Sequence, residues 1–278
     1  MKIYNTHSGI LVEYESKFYL LPQENWDEFI NDDNIINKTK AKLTKENSLK
    51  DATSIIENEV KTPVKSQEIW ASGVTYYNSK LGREEESKEA GGSSFYARVY
   101  EADRPELFFK ATAQRTVGQD GVVRIRKDST WNVPEPELTL VITSSGKIVG
   151  YTIGNDMSSR SIEGENPLYL PQAKTYDGCA AIGPCVLLSD GPLPYNTQIR
   201  LVINRKGSTV FAKNIGIDQI KRKFSDLVAY LYRECSFPNG CLLMTGTGII
   251  PSSDFTLNIG DEIEISIDGI GTLRNIVG

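Results

Sequence analysis

The sequence predicts a β-rich α+β fold, and three features carry that expectation. Short apolar runs bounded by polar turns recur at 1–4, 10–14 and 18–21 near the start and at 138–142 and 148–153 in the middle, the length and punctuation of strands. Near the end, Ile263, Ile265 and Ile267 alternate with acids, the two-residue period of a half-buried strand. One segment carries the helical period instead. Over 218–234, Ile220, Phe224, Leu227, Val228 and Leu231 fall on one helix face.

At 278 residues the chain can form one large domain or a large one with a smaller companion. Residues 1–62 read as a small N-terminal α+β domain: the three early strands are followed by helical stretches near 24–30 and 48–60 with a Lys/Asn-rich link between them. Thr62-Pro63 and the polar Lys65-Ser66-Gln67 mark the boundary, leaving 63–278 as the second domain. A net charge of −5 gives no electrostatic reason to expect a nucleic-acid partner. No run approaches the length of a membrane span, and the N-terminus lacks a basic-plus-apolar leader. A cytoplasmic location is expected.

Cys179, Cys185, Cys235 and Cys241 lack the close spacing of zinc sites and sit in apolar surroundings, so buried free thiols are expected. His7 is the one histidine. A Ser-His-Asp triad, a Cys-His pair or a multi-histidine metal centre therefore has little support.

From residue 63 onward, 69–77 reads as a strand ending in the Ser72-Gly73 turn, with Tyr76 and Tyr77 after it. Aromatics in that position usually pack. Over 78–101 a charged run precedes Gly91-Gly92-Ser93-Ser94, which suggests a solvated helix and then a hinge. Next comes Arg104 to Lys110. Phe108 and Phe109 read as core, while Glu106 and Lys110 lie four residues apart. An ion pair is the common fate of such an acid.

The densest chemistry lies between 134 and 177. Glu135 and Glu137 are two apart, so on a strand they share one face. Asp156 follows the apolar run 148–153 and offers a third oxygen ligand. Close like charges need protons or a cation between them. Three carboxylates without Cys or His partners favour a hard ion, Mg²⁺ or Mn²⁺. Lys174 lies eighteen residues past Asp156; beside a cation it becomes either a general base or an anchor for a substrate carboxylate. Downstream, Thr245-Gly246-Thr247-Gly248 forms a glycine-flanked turn whose N–H groups can meet an anion.

These strings occur together and in order: Arg104-Pro105-Glu106-Leu107-Phe108-Phe109-Lys110, then Glu135-Pro136-Glu137, then Gly150-Tyr151-Thr152 through Asn155-Asp156, Ser158 and Arg160, then Lys174-Thr175-Tyr176-Asp177-Gly178, then Thr245-Gly246-Thr247. Over about 65–278 the chain resembles the fumarylacetoacetate hydrolase family. The resemblance implies a catalytic domain of mixed, rolled sheets around a metal, and a small N-terminal domain with a structural role. It implies Mg²⁺, or Mn²⁺ or Ca²⁺ in its place, held by Glu135, Glu137 and Asp156. It also implies Glu106 and Lys174 as proton-transfer residues, with Tyr76, Lys110, Tyr176 and Thr247 at the substrate, and a lid over 78–101.

The chain departs from the family's hydrolases at one point. Where they place a histidine that activates water, it has Gln119 and Asp120, and an amide is not a base. Loss of a hydroxyl group from a 2-oxo acid is the better expectation. The motif set resembles the family's 2-keto-3-deoxy-D-arabinonate dehydratases, which yield 2,5-dioxopentanoate in pentose oxidation. The alternatives are a hydrolase or decarboxylase acting on acylpyruvate or oxaloacetate, and a non-enzymatic protein binding a 2-oxo acid. A homodimer or homotetramer is expected from the family.

Overall fold

A computed structural model describes residues 1–86 and 93–278, with side chains outside 83–96. The chain opens with an antiparallel meander of β1 (Lys2–Thr6), β2 (Gly9–Tyr14) and β3 (Lys17–Leu21). Glu15 and Ser16 join the last two strands with φ of 50° and 59°, the left-handed geometry that suits a tight hairpin. Then follow α1 (Trp26–Ile30), α2 (Ile35–Lys42), β4 (Ser48–Leu49) and α3 (Thr53–Asn58).

Two helical expectations change here. The Lys/Asn-rich link contains α2, which buries Ile35 and Thr39, four apart on one face. The stretch 48–60 divides because Leu49 pairs with Phe18 of β3, and Asp51 accepts hydrogen bonds from the Thr53 N–H and hydroxyl. That starts the helix only at Thr53.

The middle of the chain contributes β5 (Glu68–Gly73), α4 (Tyr77–Glu86), α5 (Ser93–Glu101), β6 (Glu106–Ala111), β7 (Thr116–Val117), β8 (Val122–Val123) and β9 (Asn132–Val133). The strand expected over 69–77 stops at Gly73, because Val74 adopts φ 52° and breaks the extended run. The hinge expected at Gly91-Gly92 lies outside the described residues. β10 (Pro136–Ile142), β11 (Ile148–Asp156), β12 (Ser158–Ser159), α6 (Arg160–Glu165), α7 (Leu170–Lys174) and β13 (Ala180–Leu188) follow. The last third holds β14 (Gln198–Arg205), β15 (Ser208–Gly216), α8 (Phe224–Leu231), β16 (Cys241–Met244), β17 (Glu262–Ile267) and β18 (Gly271–Val277).

The helix expected over 218–234 begins only at Phe224. Lys221 donates its N–H to Thr75 O, while Lys221 Nζ and Arg222 reach the Tyr100 and Val99 carbonyls of α5. These bonds hold 220–223 out of the helix, after a 3-10 turn over Ile217–Gln219.

Most strands join one sheet in the order β4-β3-β2-β1-β13-β11-β10-β16-β5-β6, with β7 beside β13. A second sheet runs β15-β14-β17-β18-β8. The core lies between them: Leu138, Leu140 and Ile153 from the first sheet meet Leu201, Ile203, Ile263 and Ile265 from the second. The early meander is not a sheet of its own, since Ile3 of β1 pairs with Val186 of β13. Its side chains Ile3 and Val12, with Trp26 of α1, share a small core with Val141, Val149 and Val186. Hydrogen bonding and packing thus cross the boundary expected at 62/63. Cys179, Cys185 and Cys241 are buried free thiols; Cys235, in the loop after α8, is exposed. No helix among the described residues is long and apolar enough to cross a membrane.

Alternation decides what faces the site. On β10, Leu138, Leu140 and Ile142 enter the core between the sheets, so Glu137, Thr139 and Val141 face the other way. Both sets are buried, which requires cover on both faces of the strand.

Candidate active site

Glu135 and Asp156 face each other at the ends of β10 and β11. Their main chains exchange both hydrogen bonds, Glu135 N–H to Asp156 O at 3.2 Å and Asp156 N–H to Glu135 O at 2.9 Å. Their side chains therefore leave the same face of the sheet, and Glu137, two residues on, joins them. One oxygen from each lies within 4.8 Å of the others, and all three residues are buried. Opposed like charges destabilise a sheet, and burial raises the cost of each. Burial, then Asp156, then Glu135, hold the Glu137 carboxyl well above its ordinary value of 4.5.

Three cations answer these acids. Lys174, at the end of α7, donates from Nζ to Glu135 Oε2 at 2.6 Å, to Asp156 Oδ2 at 3.1 Å and to Ser158 Oγ at 2.6 Å. Lys110 Nζ lies 2.5 Å from Asp156 Oδ1, and Arg160 Nη2 lies 3.0 Å from Glu135 Oε1. A fourth buried acid, Glu163, sits 3.2 Å from Lys174 Nζ. Among the described residues, four buried carboxyl groups thus meet three buried cations. The all-oxygen donor set of Glu135, Glu137 and Asp156 fits a hard divalent ion.

A cavity of about 20 Å³ opens on this cluster. Of the nine residues singled out in the sequence, Glu135, Glu137, Asp156, Lys174 and Thr247 line it; Glu106 stands at its edge against Gly73, and the other three stand behind its wall. The Thr245-Gly246-Thr247-Gly248 turn meets an anion as expected, and that anion is Glu137, whose Oε2 accepts the Gly246 N–H at 2.5 Å. Gly246 has φ +90°, and a β-carbon there would lie 2.1 Å from Thr75 Oγ1, so only glycine brings the turn this close.

Glu106, Phe108 and Lys110 share one face of β6. Glu106 is at the cavity end, its carboxyl against Gly73, which lines the cavity. Lys110 is four residues deeper and fully buried, with Nζ also bonded to Met157 O at 2.9 Å and Lys174 O at 2.5 Å. Tyr176 lies beneath it, ring centroid 5.9 Å from Lys110 Nζ. The Tyr76 ring packs on Gly248, where a β-carbon would approach to 2.4 Å. Lys110, Tyr176 and Tyr76, expected at the substrate, support the wall and do not line the cavity. Gln119 and Asp120 also lie away from it, bonded to Arg274 of β18.

Sequence reasoning quoted Ser158 and Arg160 only as motif residues, with no role in the site, and passed over Glu163. A signal was present: Asp156, Ser158, Arg160 and Glu163 form a polar run leaving a buried strand, and Arg160 and Glu163 share a helix face at i, i+3.

The fumarylacetoacetate hydrolase C-terminal family model matches residues 75–278. The chain belongs to the fumarylacetoacetate hydrolase family. Its relatives include a probable 2-keto-3-deoxyxylonate dehydratase of Haloferax volcanii, 45% identical over 243 residues that cover 87% of this chain and 82% of the relative. A 2-dehydro-3-deoxy-D-arabinonate dehydratase of Saccharolobus solfataricus is 43% identical over 231 residues, covering 81% of this chain and 76% of that one. The fold is similar to a solved 2-keto-3-deoxy-D-arabinonate dehydratase complexed with magnesium and 2,5-dioxopentanoate, with a TM-score of 0.85 and 35% identity over 100% of this chain and 98% of that one. Within the family fold, the mixed sheet of β10, β11 and β13 is the element that carries the acidic cluster.

Proposed function

We propose that this chain is a Mg²⁺-dependent hydro-lyase that converts 2-keto-3-deoxy-D-arabinonate to 2,5-dioxopentanoate. The observation that carries the reading is the buried Glu135, Glu137 and Asp156 triad with Lys174 Nζ against it, in a chain 43% identical to a dehydratase of that sugar acid. When bound, the cation supplies Lewis acidity toward the carboxylate and 2-oxo oxygens of the substrate.

The chain's residues supply the rest. Lys174 Nζ stands in the cavity wall; a divalent ion in the triad would favour its free amine over the ammonium, and that amine would take the proton from C3. Glu106, beside Gly73, gives a proton to the hydroxyl leaving C4. One water is lost, and proton shifts along the unsaturated product place the aldehyde at C5. Thr247 faces the cavity with its hydroxyl accepting the Ile249 N–H at 3.2 Å, which orients its proton toward the substrate. The one histidine, His7, is exposed on the early meander, so the water-activating route of the family's hydrolases has no base here. A cytoplasmic homo-oligomer acting in pentose oxidation belongs to this reading, on the family resemblance.

The test is turnover of 2-keto-3-deoxy-D-arabinonate by purified protein with Mg²⁺, followed through a dehydrogenase specific for 2,5-dioxopentanoate. Activity abolished by EDTA and restored by Mg²⁺ supports the proposal. No turnover of the sugar acid, with oxaloacetate or acylpyruvate consumed, sinks it.

A further inference from the structure

The acids of the cavity are buried at its floor. Among the described residues that line it, only Gly73, Phe108 and Ile250 are half-exposed, and these mark its mouth. Gly73 and Phe108 belong to the β5–β6 side, which carries Glu106 against Gly73. Ile250 comes from the segment after the Thr245–Gly248 turn. Its neighbours Ile249 and Pro251 are buried, and the Ile249 N–H is bonded to Thr247 Oγ1 at 3.2 Å, so the backbone fixes its place. α4 leans on the same segment. Asn78 Nδ2 donates to Gly248 O at 3.4 Å, and Gly82, four residues on along that helix face, lies against Ile250. A β-carbon at 82 would stand 3.2 Å from Ile250 Cγ2 and 3.8 Å from Arg160 Nη1. Gly82 does not line the cavity, so it backs Ile250 from behind.

We propose that Ile250, backed by α4 at Gly82, sets the length of 2-oxo acid that the site accepts. The inference deepens the proposed function and rests on its placement of the carboxylate and 2-oxo group at the acids. With that end at the floor, C4 comes beside Glu106 and the far end of the chain meets Ile250 at the mouth. A cavity of about 20 Å³ is little larger than one water needs, so the side chains that border it decide what fits. A chain one carbon too long presses on Ile250, and Ile250 has a helix behind it.

The experiment titrates the Mg²⁺-loaded full chain with unbranched 2-oxo acids by calorimetry. It reads the ratio of Kd between neighbours in the series, which a general loss of affinity leaves unchanged. 2-Oxohexanoate places C6 where the five-carbon sugar acid has its C5 hydroxyl oxygen, and 2-oxoheptanoate is one carbon longer. In an unobstructed apolar channel that carbon tightens binding about fourfold. Here it should weaken binding about tenfold or more, the discrimination a filled pocket gives against one methylene. Ile250→Ala should abolish this step, and Ile250→Val should reduce it, which keeps the test alive if the alanine variant fails to fold. Gly82→Ala crowds Ile250 from behind and should weaken 2-oxohexanoate relative to 2-oxopentanoate. Steadily tighter binding past 2-oxohexanoate in the parent, or a profile that stays put in the Ile250 variants or in Gly82→Ala, overturns the proposal. Failure of every 2-oxo acid to bind overturns it together with the proposed function. A step at another length that still follows position 250 leaves this inference standing and counts against the five-carbon sugar acid.

Discussion

The carboxyl group of Glu106 fills the space in front of Gly73, where an added β-carbon would lie 2.0 Å from Glu106 Oε2. The two residues are cross-strand partners on β5 and β6, and Gly73 is part of the cavity lining. The missing side chain at 73 is thus what lets an acid on the neighbouring strand approach the cavity.

Gly73→Ala should therefore lower kcat by about tenfold or more, as displacement of a general acid does. The clash is with the far end of a flexible side chain, so the thermal midpoint should hardly move. Steady-state kinetics and a melting curve check both halves. Full activity in Gly73→Ala would remove Glu106 from the reaction.

Glu137 gives a pH dependence. Its folded-state value is raised by burial and by Asp156 and Glu135, against a smaller downward pull from Lys174 and the Gly246 N–H. The folded protein then holds a proton that the unfolded chain has released. That contribution to stability is complete below the ordinary value and is lost as pH rises through the raised one. Metal-free protein should lose thermal stability as pH climbs above the ordinary carboxyl value of 4.5 and through the raised one. The stabilisation given by Mg²⁺ should grow over the same window, because the ion takes the proton's place. Glu137→Gln should flatten the metal-free profile. Melting curves with EDTA and with Mg²⁺ test this, and a wild-type profile already flat would contradict it.

Lys110 separates support from substrate contact. Its ammonium is fully buried against Asp156 and two carbonyls. Lys110→Met should destabilise the fold by about 3–5 kcal/mol, the cost of leaving one partner of a buried ion pair. Urea unfolding measures it. A variant as stable as the parent with only KM raised would place Lys110 at the substrate instead.

The acids of the site were legible because a two-residue period needs no partner: Glu135 and Glu137 share a face on any strand, and Asp156 ends the strand that pairs with theirs. The glycine turn at Gly246 was legible for a similar local reason. Depth was not. Lys110 and Glu106 are four apart on one strand face, and only the fold shows that one reaches the cavity edge while the other lies beneath Asp156. Glu163 escaped notice because α6 is short and its partner, Lys174, lies on a different helix. The break in the helix over 218–234 was likewise hidden, since Lys221 and Arg222 answer to carbonyls of α5 more than a hundred residues earlier.

The pairing of β1 with β13 has a bearing on biosynthesis. Lys2 and Ile3 find their partners at Leu187 and Val186, so β1 leaves the ribosome long before β13 and waits for it before its open side is covered. Through that interval the hairpin of β1 and β2 presents bare amide and carbonyl groups to any other extended chain, the hazard of an unprotected strand edge. Nascent chains stalled before β13 should therefore be the aggregation-prone species, and a chaperone that shields the early meander would act where this topology is slowest to close.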